Sequence, residues 1–102
     1  MTFKSLLVAG ALMASTTLAH AADHVVTITD FSFQPANLTI AAGDTVTFVN
    51  KDSAPHTATQ KGGFDTGRLN KNKKAALSFA SAGSYDYFCK FHPMMKAQIV
   101  VK

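Results

Sequence analysis

The chain has 102 residues, one cysteine and a formal net charge of +4, which leaves room for one domain and none for a disulfide framework. Its basic balance comes without a nucleic-acid recognition motif, so nucleic acid is not an expected partner. From the start, Lys4 precedes an apolar run from Leu6 to Leu18, followed by Ala19-His20-Ala21, a small-x-small pattern suited to signal-peptidase cleavage. That run is shorter than the roughly 20 apolar residues a membrane span needs. Residues 1–21 are therefore expected to be a signal peptide that sends the chain to the periplasm. Residues 22–102 would form the mature domain, with no membrane span.

Short strands and turns alternate from there. Val25 to Thr29 is β-branched throughout, and Leu38 to Ile40 ends in the turn Ala41-Ala42-Gly43-Asp44. Thr45 to Val49 sets Thr45, Thr47 and Val49 against Val46 and Phe48. Ala75, Leu77 and Phe79 alternate with Ala76 and Ser78, and Ser81-Ala82-Gly83 is the next turn. Tyr85, Tyr87 and Cys89 share a strand face opposite Asp86 and Phe88, and Gln98 to Val101 closes the chain. Period-two patterning broken by turn residues predicts an all-β sandwich or barrel. Lys61 to Lys74, polar and rich in glycine, reads as loop.

The lone Cys89 of an exported chain calls for a role such as metal binding. Cys89, His92 and Met95 stand three apart in a short loop after a strand, so thiolate, imidazole and thioether can converge on one ion. His56, stiffened by the preceding Pro55, is the expected fourth donor. Two imidazoles and a thiolate with a weak thioether form the blue-copper arrangement, which suits both copper oxidation states. Structural zinc sites use Cys and His without Met. Pro93 is expected to turn Met94 outward, leaving Met95 as the axial donor.

In Phe33-Gln34-Pro35 with Leu38-Thr39-Ile40, in the run Gly43 to Asn50, in Pro55-His56-Thr57, and in Gly83 to Cys89 with His92-Pro93 and Met95, the chain resembles the cupredoxins, and among them the amicyanins and plastocyanins. The two residues between Cys89 and His92 resemble the short amicyanin loop. The resemblance implies an eight-stranded Greek-key β-sandwich, one type 1 copper site and periplasmic electron transfer. Relatives usually carry Asn after the first ligand His, where it ties the ligand loops together. This chain has Thr57, which puts the reduction potential in doubt. Relatives also often have Gly where this chain has Ala97, a change at the start of the last strand.

A closed donor set leaves no open position for substrate, so the expected function is one-electron transport and not catalysis. The alternative is copper delivery or storage. His92 is expected at the surface in an apolar patch with Ala54, Pro55, Pro93 and Met94. Lys90 and Lys96 flank that patch and would steer an acidic partner. The resemblance implies a dehydrogenase or a c-type cytochrome as redox partners, and a monomer is expected. Cleavage after Ala21 would also leave Ala22-Asp23-His24, a sequence able to form a square-planar Cu(II) site.

Overall fold

The computed structural model describes residues 20–102, so most of the expected signal peptide lies outside the described residues. Seven strands make up the domain: β1 (Asp23–Thr29), β2 (Ser32–Gln34), β3 (Asn37–Ile40), β4 (Asp44–Asn50), β5 (Lys74–Phe79), β6 (Gly83–Phe88) and β7 (Lys96–Val101). One sheet has the order β2-β1-β4-β5 and the other β3-β7-β6. β1 runs parallel to β4, and β3 runs parallel to β7. Both parallel pairings require the chain to leave one sheet and return, which makes a sandwich and not a meander. Among the described residues no helix is long and apolar enough to cross a membrane.

The alternation read from sequence sets the inward face. In β4, Val46 and Phe48 are buried while Thr45, Thr47 and Val49 are only half-buried. Val26 and Ile28 of β1, Phe79 of β5, Tyr87 of β6 and Ile99 and Val101 of β7 complete the same core. Phe48 and Phe33 pack edge-on against Tyr87, with centroids 5.5 and 4.7 Å away. A Phe48→Ala change would cost about 3–5 kcal/mol.

The resemblance implied eight strands, and the described residues form seven. The difference lies between β4 and β5, where the chain makes only isolated bridges, His56 to Leu69, Thr59 to Asp65 and Thr59 to Phe88. Pro55 has no amide to donate. Gly62 and Gly67 adopt positive φ, and the Asp65 and Thr66 side chains accept amides that a ladder would use. This stretch is held by side chains, and it carries the first of the candidate ligands.

Candidate metal centre

His56 is fully buried and its backbone is pinned on both sides. Its amide donates to the Leu69 carbonyl at 3.1 Å, and the Leu69 amide returns a bond of 2.8 Å. Asn50, buried at the end of β4, donates from Nδ2 to the carbonyls of Ala54 and Leu69 at 2.9 and 2.8 Å. Its Oδ1 accepts from the Asp52 amide at 2.8 Å. One amide side chain thus shapes the whole approach to His56.

Cys89 follows β6 directly, and the loop after it is built from nested turns. The His92 amide donates to the Cys89 carbonyl at 3.2 Å, the Met95 amide to the His92 carbonyl at 2.9 Å, and the Cys89 amide to the Met95 carbonyl at 3.2 Å. The spacing of three is therefore a backbone device that returns each donor to the same end of the sandwich. Cys89 and Met95 are buried and His92 is half-buried. Met94 is 91% exposed, as the turn at Pro93 predicts.

Three of the expected donors converge, the imidazoles of His56 and His92 and the thiol of Cys89. The Nδ1 atoms of His56 and His92 lie 3.6 and 3.8 Å from Cys89 Sγ, and the three donor atoms all lie within 4.8 Å of one another. His56 Nε2 sits 2.8 Å from Asp52 Oδ2. Burial pushes the Asp52 carboxyl up, but hydrogen bonds from the Phe31 amide, His56 and the Asp30 amide outweigh it and hold the group below the usual range. An ionised carboxylate only accepts, so Nε2 carries the proton and Nδ1 keeps its lone pair for a metal. A carboxylate fixing the tautomer of a ligand imidazole is a recurring part of metal sites.

Sequence reasoning missed Asp52 and Phe31. Asp52 was findable: it stands four residues before His56. Phe31 carried no such signal. Asp30 and Phe31 form the two-residue turn between β1 and β2, at φ 53° and 55°, the left-handed pair that a tight hairpin requires. A bulky residue there is strained by about 1–2 kcal/mol. Asp52 offsets this by accepting both turn amides, at 2.8 and 2.9 Å. The Phe31 ring is thereby held edge-on to His56 and His92, with centroids 5.0 and 4.8 Å away.

Thr57 does not leave the ligand loops untied. Its Oγ1 accepts the Lys90 amide at 2.9 Å, and its own amide points at Cys89 Sγ from 3.4 Å. Ala97 pairs regularly with Tyr87, so the start of β7 is undisturbed. In Ala22-Asp23-His24, the sequence able to form a square-planar site once Ala22 is a free amine, both end groups meet Asp44. The Ala22 nitrogen donates to Asp44 Oδ1, and His24 Nε2 pairs with Asp44 Oδ2, both at 2.9 Å. Asp23 and His24 are extended in β1, in register with Thr45 and Val46.

The comparisons with known proteins agree with this geometry. The profile of the Cupredoxin-like domain family matches residues 3–101. The chain is a cupredoxin. It is 37% identical over 84 residues to an amicyanin of Paracoccus versutus, a match covering 76% of this chain and 64% of that protein. It therefore spans a little under two thirds of the curated amicyanin's length. It is 35% identical over 88 residues to a plastocyanin of Scenedesmus fuscus, covering 69% of this chain and 86% of the relative. A solved Cu(I) structure of an amicyanin variant superposes with a TM-score of 0.75 at 30% identity, covering 78% of this chain and 82% of the other. Copper is the cofactor on which this cupredoxin's family and its His-Cys-His-Met cluster agree.

Around His92, Phe31, Phe91, Pro93, Met94 and Met95 line a hollow of about 450 Å³. Of the expected patch, Pro93 and Met94 line this hollow and Ala54 and Pro55 do not; Phe31 and Phe91, 51% and 46% exposed, take their place. Arg68 lies over the Phe91 ring, 5.8 Å from its centroid. Lys90 is ion-paired with Asp65, and Lys61 and Lys96 line the neighbouring groove with Pro93 and Met94.

Proposed function

We propose that this cupredoxin is an exported, periplasmic one-electron carrier whose copper is held by His56, Cys89, His92 and Met95. The observation that carries the reading is two imidazole Nδ1 atoms facing one buried thiol sulfur, with Met95 buried and its backbone bonded to His92 and Cys89. Copper supplies a one-electron couple between Cu(I) and Cu(II), and the soft and borderline donors suit both states. The protein's part is to keep those donors fixed. Asp52 orients His56, the nested turns position Cys89, His92 and Met95, and the Phe31 ring covers both imidazoles. A full donor set leaves no position for substrate, which separates this reading from an oxidase.

His92 reaches the surface within the aromatic hollow, so electrons enter and leave at its edge. The partner is a redox protein, such as a dehydrogenase or a c-type cytochrome, with an acidic rim to meet Arg68 and Lys96. Copper titration into wild type and Cys89→Ala tests the site: one equivalent binding to wild type with an intense blue colour, lost in the variant, is expected. Tight but colourless Cu(I) binding would favour delivery or storage. Electron-transfer rates that stay flat or rise with added salt would contradict an acidic partner.

A further inference from the structure

The segments carrying His56 and Cys89 run antiparallel beside each other. Thr59 and Phe88 exchange both backbone bonds, at 2.8 and 2.9 Å. In an antiparallel ladder the next hydrogen-bonded pair lies two residues on, which is Thr57 with Lys90. There side chains take over. The Thr57 amide turns to Cys89 Sγ at 3.4 Å, and the Lys90 amide donates to Thr57 Oγ1 at 2.9 Å. Thr57 Oγ1 lies 2.9 Å from Thr59 Oγ1, and Thr59 Oγ1 lies 3.1 Å from Asp65 Oδ1.

The direction of every bond in this series follows from its far end. Asp65 is held ionised by Lys90, first, and by the Gly67 amide, against a smaller effect of burial. A carboxylate can only accept, and a hydroxyl has one proton. Thr59 therefore gives its proton to Asp65 and must accept from Thr57. Thr57, its proton committed, receives the Lys90 amide. Both threonines are buried, at 2% and 5% exposure, so water is not at hand to replace either bond. Hydrogen bonds in such a series polarise one another.

We propose that Thr59 and Asp65 are further positioning residues of the copper site, fixing through a one-way hydrogen-bond relay the Thr57 hydroxyl that ties the Cys89 loop to the His56 segment before metal binds. The proposal rests on the reading of His56 and Cys89 as copper ligands. Thr57 Oγ1 thus stands in for the Thr57 carbonyl as the acceptor of the Lys90 amide, while the Thr57 amide turns to the sulfur.

Thr59→Val cuts the relay while sparing the Asp65–Lys90 ion pair, and Thr57→Val removes the acceptor itself. In the metal-free protein, amide exchange at Lys90 should quicken about 10-fold in Thr57→Val, and by a smaller factor in Thr59→Val. Thr57→Ser should retain wild-type protection. Copper affinity should fall roughly 10-fold in each valine variant, and the double variant should lose less than the product of the two singles. Unchanged Lys90 exchange in Thr59→Val, or affinity losses that simply multiply, would overturn the relay. If the exchange pattern holds but the wild type binds no copper, the relay stands and the reading of the site fails.

Discussion

Two aspartates at opposite ends of β4 use the same chemistry for different ends. Asp44 accepts the Ala22 and Ala41 nitrogens and pairs with His24 Nε2. Asp52, two residues past β4, accepts the Asp30 and Phe31 amides and pairs with His56 Nε2. Each gathers two backbone donors and one imidazole, and each is held below the ordinary carboxylate range. The difference lies in the second ring nitrogen. His56 Nδ1 faces Cys89 Sγ, whereas among the described residues the His, Cys and carboxylate cluster suited to a metal does not include His24. A carboxylate–imidazole pair is therefore a fastening until other donors converge on the free nitrogen, when it becomes half of a metal site.

The sharpest way to break the comparison is to remove each histidine. His56→Ala should abolish blue copper binding and His24→Ala should leave it intact, as followed by copper titration. Next, Asp52→Asn should weaken copper binding roughly 10–100-fold, because the His56 tautomer and the Phe31 turn lose their shared anchor. Asp44→Asn should leave copper affinity unchanged.

Acid tests the Asp44 clamp in another way. Asp44 has its carboxyl lowered from 3.8 to about 2, chiefly by the Ala22 and His24 hydrogen bonds. A depressed folded-state value stabilises the fold above the unfolded value, and that contribution is lost as pH falls through the folded one. Wild type should therefore lose stability more steeply than Asp44→Asn between about pH 4 and pH 2. Urea midpoints measured across that window in the metal-free proteins check this. Equal slopes would show that Asp44 carries no such role.

The smallest effects concern the turns the two aspartates hold. At the far end, the turn leading into Asp44 uses Gly43 at φ 95°, whereas the copper end keeps Phe31 at φ 55°. Gly43→Ala should cost about 1–2 kcal/mol in thermal unfolding, since a side chain resists that conformation. Phe31→Gly should shift stability by less than about 1 kcal/mol, because relief of strain offsets the freer unfolded chain. Its consequence should appear instead at the exposed aromatic patch, as slower electron transfer to a partner.

Much of this was legible in the sequence because it rests on local pattern. Val46 and Phe48 against Thr45 and Thr47 announced a one-sided strand, and Cys89, His92 and Met95 announced a ligand loop. Strand ends moved by a residue or two, as with β1 beginning at Asp23 and not Val25. What stayed hidden depends on contacts between distant segments. Phe31 reaches the site only because the β1–β2 turn is bound by Asp52, 21 residues away. The three-residue strand β2 is too short to show a period. Thr57 was legible as a departure from its relatives, but its bond to the Lys90 amide spans 33 residues and required the fold.

Voltammetry of the copper-loaded domain tests the carrier most directly. A site whose donors are held in place before metal arrives, and suit both oxidation states, should show one reversible one-electron couple. Copper should be retained through repeated cycles, and the couple should vanish in Cys89→Ala. An irreversible wave, or loss of metal on reduction, would contradict the account and leave a copper-handling protein in its place.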